Sequence, residues 1–594
     1  MKIKTSKTNV RQDPIASRTR KQKNKQKEES NIWVSATNTH NYMLNDGICD
    51  WLKMYGKSEN IIYKKTNNDK YENKFTHFIM NKGNDFEHKV IKYLKTKFRC
   101  IKVADFYSVS DANKTFEFMK QGIPIICSAP VYNNHNKTYG IIDLLVRSDY
   151  INKIFTIPPI PPQQEKLRAP NLQGDYHYRV IDIKYSTLNL SSDGIHLTNS
   201  FRVPAYKSQL YIYNEAISNF QGYNPMCAYI MGRRWKCVKE GVDYYGERCD
   251  DRLGVIDFHD YDYDYVDKSK DAIAWYRNVV KNGVNWTVYP PTNNELYPNM
   301  CIDSYKHNKM KHKVSNNLGE ISMLWNCGVS NRNLAIEQGI CSWKDRGCNS
   351  RVLGFDENSK NGIILDSIIR INRDSDEMML PKKLSCDYFW LNEEENEMFV
   401  DFETFNDICM DNNDIPYQKR YNFIYMIGVG IKQNGKWSYK SFIANNISKL
   451  EEKNIINQFM TYYNTLHNPP VYYWSAENTL FKTACRYHNL KYNVNWLDMC
   501  DIFKTEPISL KGCFGFGLKE ISKTMYKNKM ISTHLESECN NGMMAMIKAW
   551  KCYKNSNEPI NSPVMKDIEK YNEFDCQVMY DILNYLRNKY KIDF

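Results

Sequence analysis

The sequence predicts an α/β protein of several domains. Three observations carry this. The chain has 594 residues, of which 42% are hydrophobic, enough for more than one core. Short apolar runs of strand length alternate with segments of helical periodicity in both halves. Polar, basic stretches at residues 1–31 and 292–318 interrupt that alternation. They divide the chain into a tail (1–31), a first α/β domain (32–291), a linker with a small helical segment (292–390) and a second α/β domain (391–594).

Residues 1–30 hold ten Lys/Arg and three acids, a charge of +7, so the net +13 leaves only +6 for everything else. The tail lacks apolar periodicity and is expected to be disordered, a polyanion-binding arm, a nuclear address or a solvated end. It has no apolar h-region, and no run of about 18 apolar residues follows, so neither a secretory signal nor a membrane span is expected. The 18 cysteines form no C-x-x-C pair, which points to free thiols in a reducing intracellular compartment, cytoplasm or nucleus. The abundance of Asn, Lys, Ile and Tyr suits an AT-rich genome and leaves a viral origin open.

In the first domain Ser35 is placed to cap a helix through Tyr42 and Leu44 to about Gly56. A second helix follows Gly83 and carries Glu87 in its first turn, with Val90, Ile91 and Leu94 as its apolar stripe. Residues 122–127 read as a strand, an edge one because of Pro124, and Gly140 to Val146 as a buried strand. The Pro-rich residues 157–162 cannot be helix or sheet interior. They open a loop to about Tyr176, after which Tyr178 to Tyr185 is a strand able to pair with the one before the loop. Residues 207–213 are helical, with Gln209 and Tyr213 on one face. The acid and aromatic alternation from Asp257 to Tyr265 suggests a solvent-facing edge strand, followed by a helix through Ala272, Ile273, Trp275 and Val279.

Asp182 and Lys184 share a strand face, Asp143 falls on the neighbouring strand and Glu87 on an adjacent helix. Acids plus a lysine suit metal-assisted phosphodiester hydrolysis: the carboxylates hold Mg²⁺ and the lysine offsets charge developing on the phosphate. In order, Gly83/Glu87, Gly140/Asp143, Asp182/Lys184 and Gln209/Tyr213 resemble the RecB-like branch of the PD-(D/E)XK nucleases. This resemblance implies a restriction-endonuclease-like α/β core with Glu87, Asp143, Asp182, Lys184, Gln209 and Tyr213 as site residues. Asp143 and Asp182 would be metal ligands. The long loop departs from the family's compact hairpin. The iron–sulfur cluster of some relatives is not carried over, because the cysteines are scattered.

Between the domains, residues 321–325 and 331–339 predict two short helices, with Cys327, Cys341 and Cys348 as core thiols. The second domain opens with Phe399-Val400-Asp401-Phe402-Glu403, a strand that puts Asp401 and Glu403 on one face. Strands over 424–431 and 439–444 follow, joined by an Asn434-Gly435 turn. Next come a helix from Lys449 to Thr465, a strand at 471–474, a helix from about Ala476, a strand at 496–500, a helix within 515–525 and a final helix carrying Tyr571 and Asp575. Tyr571 and Asp575 lie four apart on one helix face. The order fits an RNase H-like mixed sheet.

With Asp401 and Glu403, that pair resembles the DEDD exonucleases of the tyrosine subtype. The resemblance implies two Mg²⁺ or Mn²⁺ ions held by four acids, a water positioned by Tyr571, and 3′ to 5′ polarity. At the second acid this chain has Glu477 where the family has Asp, and Asp498 is its rival. The expected function is a metal-dependent nuclease acting on DNA ahead of RNA, in repair, recombination or genome processing. The alternatives are a single active site, or a non-catalytic nucleic-acid-binding or scaffold protein of a replication complex. The chain has no G-x-x-x-x-G-K-[ST] motif, so any unwinding would need a separate helicase or replication protein.

Overall fold

The computed structural model describes residues 31–56, 67–409, 411, 413–418, 422–433, 436–534 and 541–591. The basic tail through residue 30 and the Asn434-Gly435 turn lie outside these residues. The chain divides into two compact units, residues 1–63, 83–298 and 412–418 in the first and 64–82, 299–411 and 419–594 in the second. Among the described residues no helix is long and apolar enough to cross a membrane, and the cysteines are free thiols.

The first unit is built on one eight-stranded sheet. Its strands are β1 (Val34–Ser35), β2 (Cys100–Lys102), β3 (Ile125–Asn133), β4 (Thr138–Arg147), β5 (Tyr178–Leu190), β6 (Cys227–Lys239), β7 (Val242–Gly246) and β8 (Gly254–Asp257). They run in the order β2-β3-β4-β5-β6-β7, with β1 beside β4 and β8 beside β6. β3, β4 and β5 form an antiparallel meander, and β6 lies parallel to β5. The principal helices are α1 (Asn67–Lys95), which belongs to this unit from Gly83 on, α2 (Val203–Gln221) and α3 (Asp264–Asn282). α2 is the crossover that a parallel β5–β6 pair requires. Phe86, Val90 and Leu94 of α1 pack with Leu144, Ile181 and Ile183 of the sheet.

Instead of one helix after Ser35, the chain makes a 3₁₀ turn (Ala36–Thr39), a short helix (His40–Met43) and a second helix (Ile48–Tyr55). Asn45, at φ 54°, sits in the left-handed region that interrupts them. Gly83 does not precede a helix but lies inside α1, where a Cβ would meet nothing within 4 Å. Its helix penalty of about 1 kcal/mol is outweighed by the packing of turns on either side. β3 is internal, paired to both β2 and β4, and Pro124 stands just outside it. Beyond Asp257, which ends β8, the stretch to Tyr265 is not a strand: Asp257 Oδ1 accepts from the backbone N–H of His259 and Asp260, which closes a turn leading into α3. The linker contains α4 (Asn308–Leu318).

The second unit holds β9 (Met379–Leu380), β10 (Met398–Phe405), β11 (Phe423–Gln433), β12 (Lys436–Ile443), β13 (Val471–Tyr473), β14 (Trp496–Asp498) and β15 (Ser509–Leu510). Five form a mixed sheet in the order β12-β11-β10-β13-β14, antiparallel from β12 to β10 and parallel from β10 to β14. Besides α4, the principal helices are α5 (Lys360–Arg373), α6 (Lys449–Thr465), α7 (Glu477–Tyr487), α8 (Leu518–Lys527), α9 (Gly542–Asn555) and α10 (Pro563–Tyr590). Neither α5 nor α9 is among the elements expected from the sequence. One apolar core joins Phe399, Tyr472, Met579 and Ile582 to Ile321, Leu324, Trp343 and Ile368, so residues of the middle segment share the second unit's interior. Cys327 and Cys348 are core thiols as expected, whereas Cys341 is exposed; its backbone N–H bonds Asp345 in a surface turn.

Candidate active sites

In the first unit, β4 and β5 pair so that Leu144 faces Ile181. One step further along this register, Asp143 stands opposite Asp182. Asp143 Oδ2 accepts from the Ile183 backbone N–H at 2.7 Å. Asp182 is 1% exposed, and its Oδ2 lies 2.6 Å from the Lys184 ammonium. Burial and the Asp182 charge push Asp143 well above the ordinary carboxylate range. The same two causes raise Glu87, against the pull of Lys184 and Lys102. Burial disfavours the Lys184 ammonium, but Asp182 and Asp143 outweigh it and hold this lysine charged. The four predicted residues therefore form one electrostatic group. A cleft of about 670 Å³ opens on Glu87 and Asp143 and carries Lys92, Lys95 and Lys102.

Gln209 and Tyr213 sit beside this group on α2. Gln209 Nε2 donates to the Tyr213 hydroxyl at 2.9 Å, and Gln209 Oε1 lies 3.0 Å from His40 Nε2. Burial lowers the His40 pKa to about 4, so the ring is neutral near pH 7 and Nε2 carries the donated hydrogen. His40 was not among the sequence candidates. A lone histidine upstream of the motifs has no spacing signal, and only the fold brings it to α2. Gly140 is explained by the same contact, since a Cβ there would stand 2.4 Å from the Tyr213 ring.

In the second unit, Phe399, Asp401 and Glu403 occupy one face of β10, while Met398, Val400 and Phe402 enter the opposite core. α10 covers the acidic face. Ser562 caps it by accepting from the Met565 N–H, and Pro563 follows at its start. Its other end is tied to the start of β10 by the buried Arg587–Glu397 pair, with nitrogen–oxygen distances of 2.8 and 2.6 Å. This attachment brings Tyr571, Asn572 and Asp575 over Asp401 and Glu403.

Asn572 is the residue the sequence reading missed. It is fully buried. Its Nδ2 donates to Asp401 Oδ2 at 2.7 Å, and its Oδ1 accepts from the Tyr439 hydroxyl at 2.9 Å. A Cβ on Gly428, which pairs with Asp401, would lie 1.5 Å from Asn572 Oδ1. Gly428 therefore exists to admit this side chain, and the I-G-V-G-I run of β11 was the signal available.

Burial raises all four acids, and repulsion from neighbouring carboxylates of the group adds to it at Asp401 and Glu403. Asp401 lies well above its ordinary range, pushed by burial, Asp575, Glu403 and Glu477. Glu403 is raised to about 8 by burial and Asp575. Burial raises Asp575 to about 6, with Lys519 and a hydrogen bond from Tyr571 opposing. Burial raises Glu477 to about 7, against the backbone amides of its own helix start. Its Oε2 lies 3.3 Å from the Ala476 N–H, so this carboxylate is turned toward the N-terminus of α7. Asp498 is engaged elsewhere: Oδ1 accepts from the N–H of Ser475 and Cys500, which caps the helix after β14.

Among the described residues no three His, Cys, Asp or Glu side chains converge closely enough to hold a metal ion between them. The donor chemistry at β10 nevertheless suits a hard dication: carboxylate oxygens only, raised by one another's charge, with the buried Asp575 Oδ1 lacking any hydrogen-bond partner.

The RNase_H_2 family of the RNase_H superfamily matches residues 410–587. The match spans β11 to β14, Glu477, Tyr571 and Asp575, and begins just after the Asp401/Glu403 strand. No curated protein matches the sequence. The C-terminal part of the chain is thus RNase H-like, which suggests a nuclease-type hydrolase of nucleic acid.

Proposed function

We propose that this protein is a metal-dependent nuclease with two phosphodiester-hydrolysing sites. One is a 3′ to 5′ exonuclease site of the DEDD tyrosine type in the RNase H-like domain. The other is a RecB-like PD-(D/E)XK site in the first unit, with DNA as the substrate of both, in repair, recombination or genome processing. The observation that carries the reading is the closeness of Tyr571 and Asp575 of α10, inside the RNase H-like match, to Asp401 and Glu403 of β10, the strand just before it. The first-unit reading is supported by a β3-β4-β5 meander and a parallel β6 reached through α2, with Asp143, Asp182 and Lys184 in the motif positions.

Asp401, Glu403, Asp575 and Glu477 would hold the metal in the second unit, and Asp143, Asp182 and Glu87 in the first. A bound divalent cation supplies an acidified water and charge on the phosphate oxygens. Lys184 stays protonated beside its two aspartates and offsets negative charge building on the phosphate. Tyr571, raised by burial and the neighbouring acids, keeps its phenolic proton and donates it toward Asp575, leaving the phenolic oxygen to orient a water. A second reading, in which the second unit binds the strand without cutting it, is favoured by one observation: the Glu477 carboxylate faces its own helix start.

End-labelled single and double strands with Mg²⁺ or Mn²⁺ test the proposal. Wild type is compared with Asp182→Ala, Asp401→Ala and the double variant. Each single variant is expected to lose one class of product and the double variant all cleavage. Metal-dependent cleavage that survives in the double variant refutes the two-site reading.

A further inference from the structure

The exposed face of α8 is a basic stripe that starts at the acids of the second unit. Lys519, Lys523 and Lys527 are spaced four apart and all exposed, while Ile521, Ser522, Thr524 and Met525 are buried on the other side. The stripe therefore advances ~6 Å along the helix axis per lysine. At its near end Lys519 Nζ stands 4.5 Å from the centre of the Tyr571 ring. Its charge is felt by Asp401, Glu403 and Asp575. Glu520, the one acid on this helix, is turned back: its Oε1 accepts from the N–H of Phe514 and Gly515 at 2.8 and 3.0 Å. Lys523 and Lys527 make no ion pair among the described residues. At the far end the Tyr526 ring, 42% exposed, stacks on His534 at 4.6 Å and 15°. It borders an open recess of about 640 Å³ that also contains Lys527 and Lys529.

From this arrangement we infer that α8 is the track for one strand of DNA, whose phosphates lie along Lys527, Lys523 and Lys519 and whose terminal phosphodiester reaches the acids beneath Tyr571. The inference rests on the nuclease reading of the second unit and adds the residues that deliver the substrate to it. Charge complementarity selects a polyanion. The stripe is one helix face wide and leads to a buried cluster that a base-paired end could reach only by unpairing, which selects a single strand. Tyr526 and Lys529 supply the aromatic and cationic surface on which an unpaired base stacks. Lys519 is a positioning residue here. It holds the last phosphate while its charge is shared with the carboxylates.

Lysine footprinting tests the track on the full chain. The protein is acetylated without metal, in the presence and absence of a single-stranded oligodeoxythymidylate, and modification is read by mass spectrometry. Lys519, Lys523 and Lys527 are expected to react several-fold more slowly with the oligonucleotide bound. Equal rates for Lys523 and Lys527 at saturating oligonucleotide overturn the inference, as does protection by a duplex alone. Stronger protection by oligouridylate overturns the assignment to DNA. In a second measurement the variant with all three lysines changed to Gln should lower the slope of log affinity against log salt by about 2, at ~0.7 per phosphate contact. An unchanged slope contradicts the track. Because neither measurement needs cleavage, their failure leaves the catalytic proposal standing. Metal-dependent cleavage that persists in Asp401→Ala removes the catalytic proposal and leaves the track.

Discussion

Glu403→Gln should stabilise the metal-free protein, and by an amount that grows with pH. Glu403 is 5% exposed, and burial with the Asp575 charge raises its pKa from 4.5 to about 8. Between those values the folded state holds a proton that the unfolded chain has released. Stability is therefore lost as pH climbs from 4.5 through 8, and below 4.5 this group costs nothing. The full rise, 3.5 pKa units at 1.36 kcal/mol each, sets an upper limit of ~5 kcal/mol for the penalty at pH 9. Asp575 and Asp401 share that repulsion and can take up a proton instead, so about 2–4 kcal/mol is the expected gain for the variant. Glutamine keeps the shape and a hydrogen-bonding oxygen while removing the charge. Calorimetric melts in chelator at pH 5, 7 and 9 read the effect as a Tm shift of the second unit, since a chain of two units need not melt in one step. Wild type should melt below Glu403→Gln at pH 9 and near it at pH 5, and Mg²⁺ should raise wild type more than the variant. A gap that is the same at pH 5 and pH 9, or a variant less stable at pH 9, refutes the claim that Glu403 is held among buried like charges.

Three further outcomes are expected. Gly428→Ala drives a methyl group into Asn572 and should cost about 2–4 kcal/mol by urea denaturation, because Asp401 and Tyr439 both lose their partner. Asn572→Ala in the same background should then cost little more. Glu477→Gln should reduce cleavage from 3′ ends at least tenfold, whereas Asp498→Ala should keep the rate and lose about 0.5–2 kcal/mol of stability as an uncapped helix; the opposite pattern would make Asp498 the fourth acid. Gly140→Ala should displace Tyr213 and with it the Gln209–His40 bond, lowering cleavage by the first unit at ~1–3 kcal/mol of stability, measured with Asp401→Ala silencing the second.

Local pattern made much of the second unit legible. Helix Lys449–Thr465, strand Trp496–Asp498 and the acidic strand all depend on near-neighbour signals: a serine before an i,i+3/i+4 stripe, or alternation on a short apolar run. The i,i+4 spacing of Tyr571 and Asp575 placed both on one helix face before any fold was considered. The helices Lys360–Arg373 and Gly542–Asn555 carry the same kind of signal, Ser359 and Asn541 as caps before faces such as Ile364, Leu365, Ile368 and Ile369, and were legible although the elements expected above leave them out. The stretch from Asp257 to Tyr265 misled. Its alternation imitates a strand, yet Asp257 bonds its own backbone and Asp262 is held by Lys207 from another helix.

The sequence by itself determined which side chains could do chemistry: carboxylates two apart on strands, Lys184 two after Asp182, and a tyrosine one turn before Asp575. Spacing along a strand or helix is a covalent property, so it survives any packing. Only the tertiary structure decided what surrounds those groups. It set His40 against Gln209, pressed Asn572 into the hollow above Gly428 and turned Glu477 toward its own helix start while Asp498 became a cap. It also set Lys519 of α8 over the Tyr571 ring. Apart from the contact of Glu477 with its neighbour Ala476, each of these joins residues tens to hundreds of positions apart, and their charges and hydrogen bonds act through space over a few ångströms, a distance that exists only once the chain has folded.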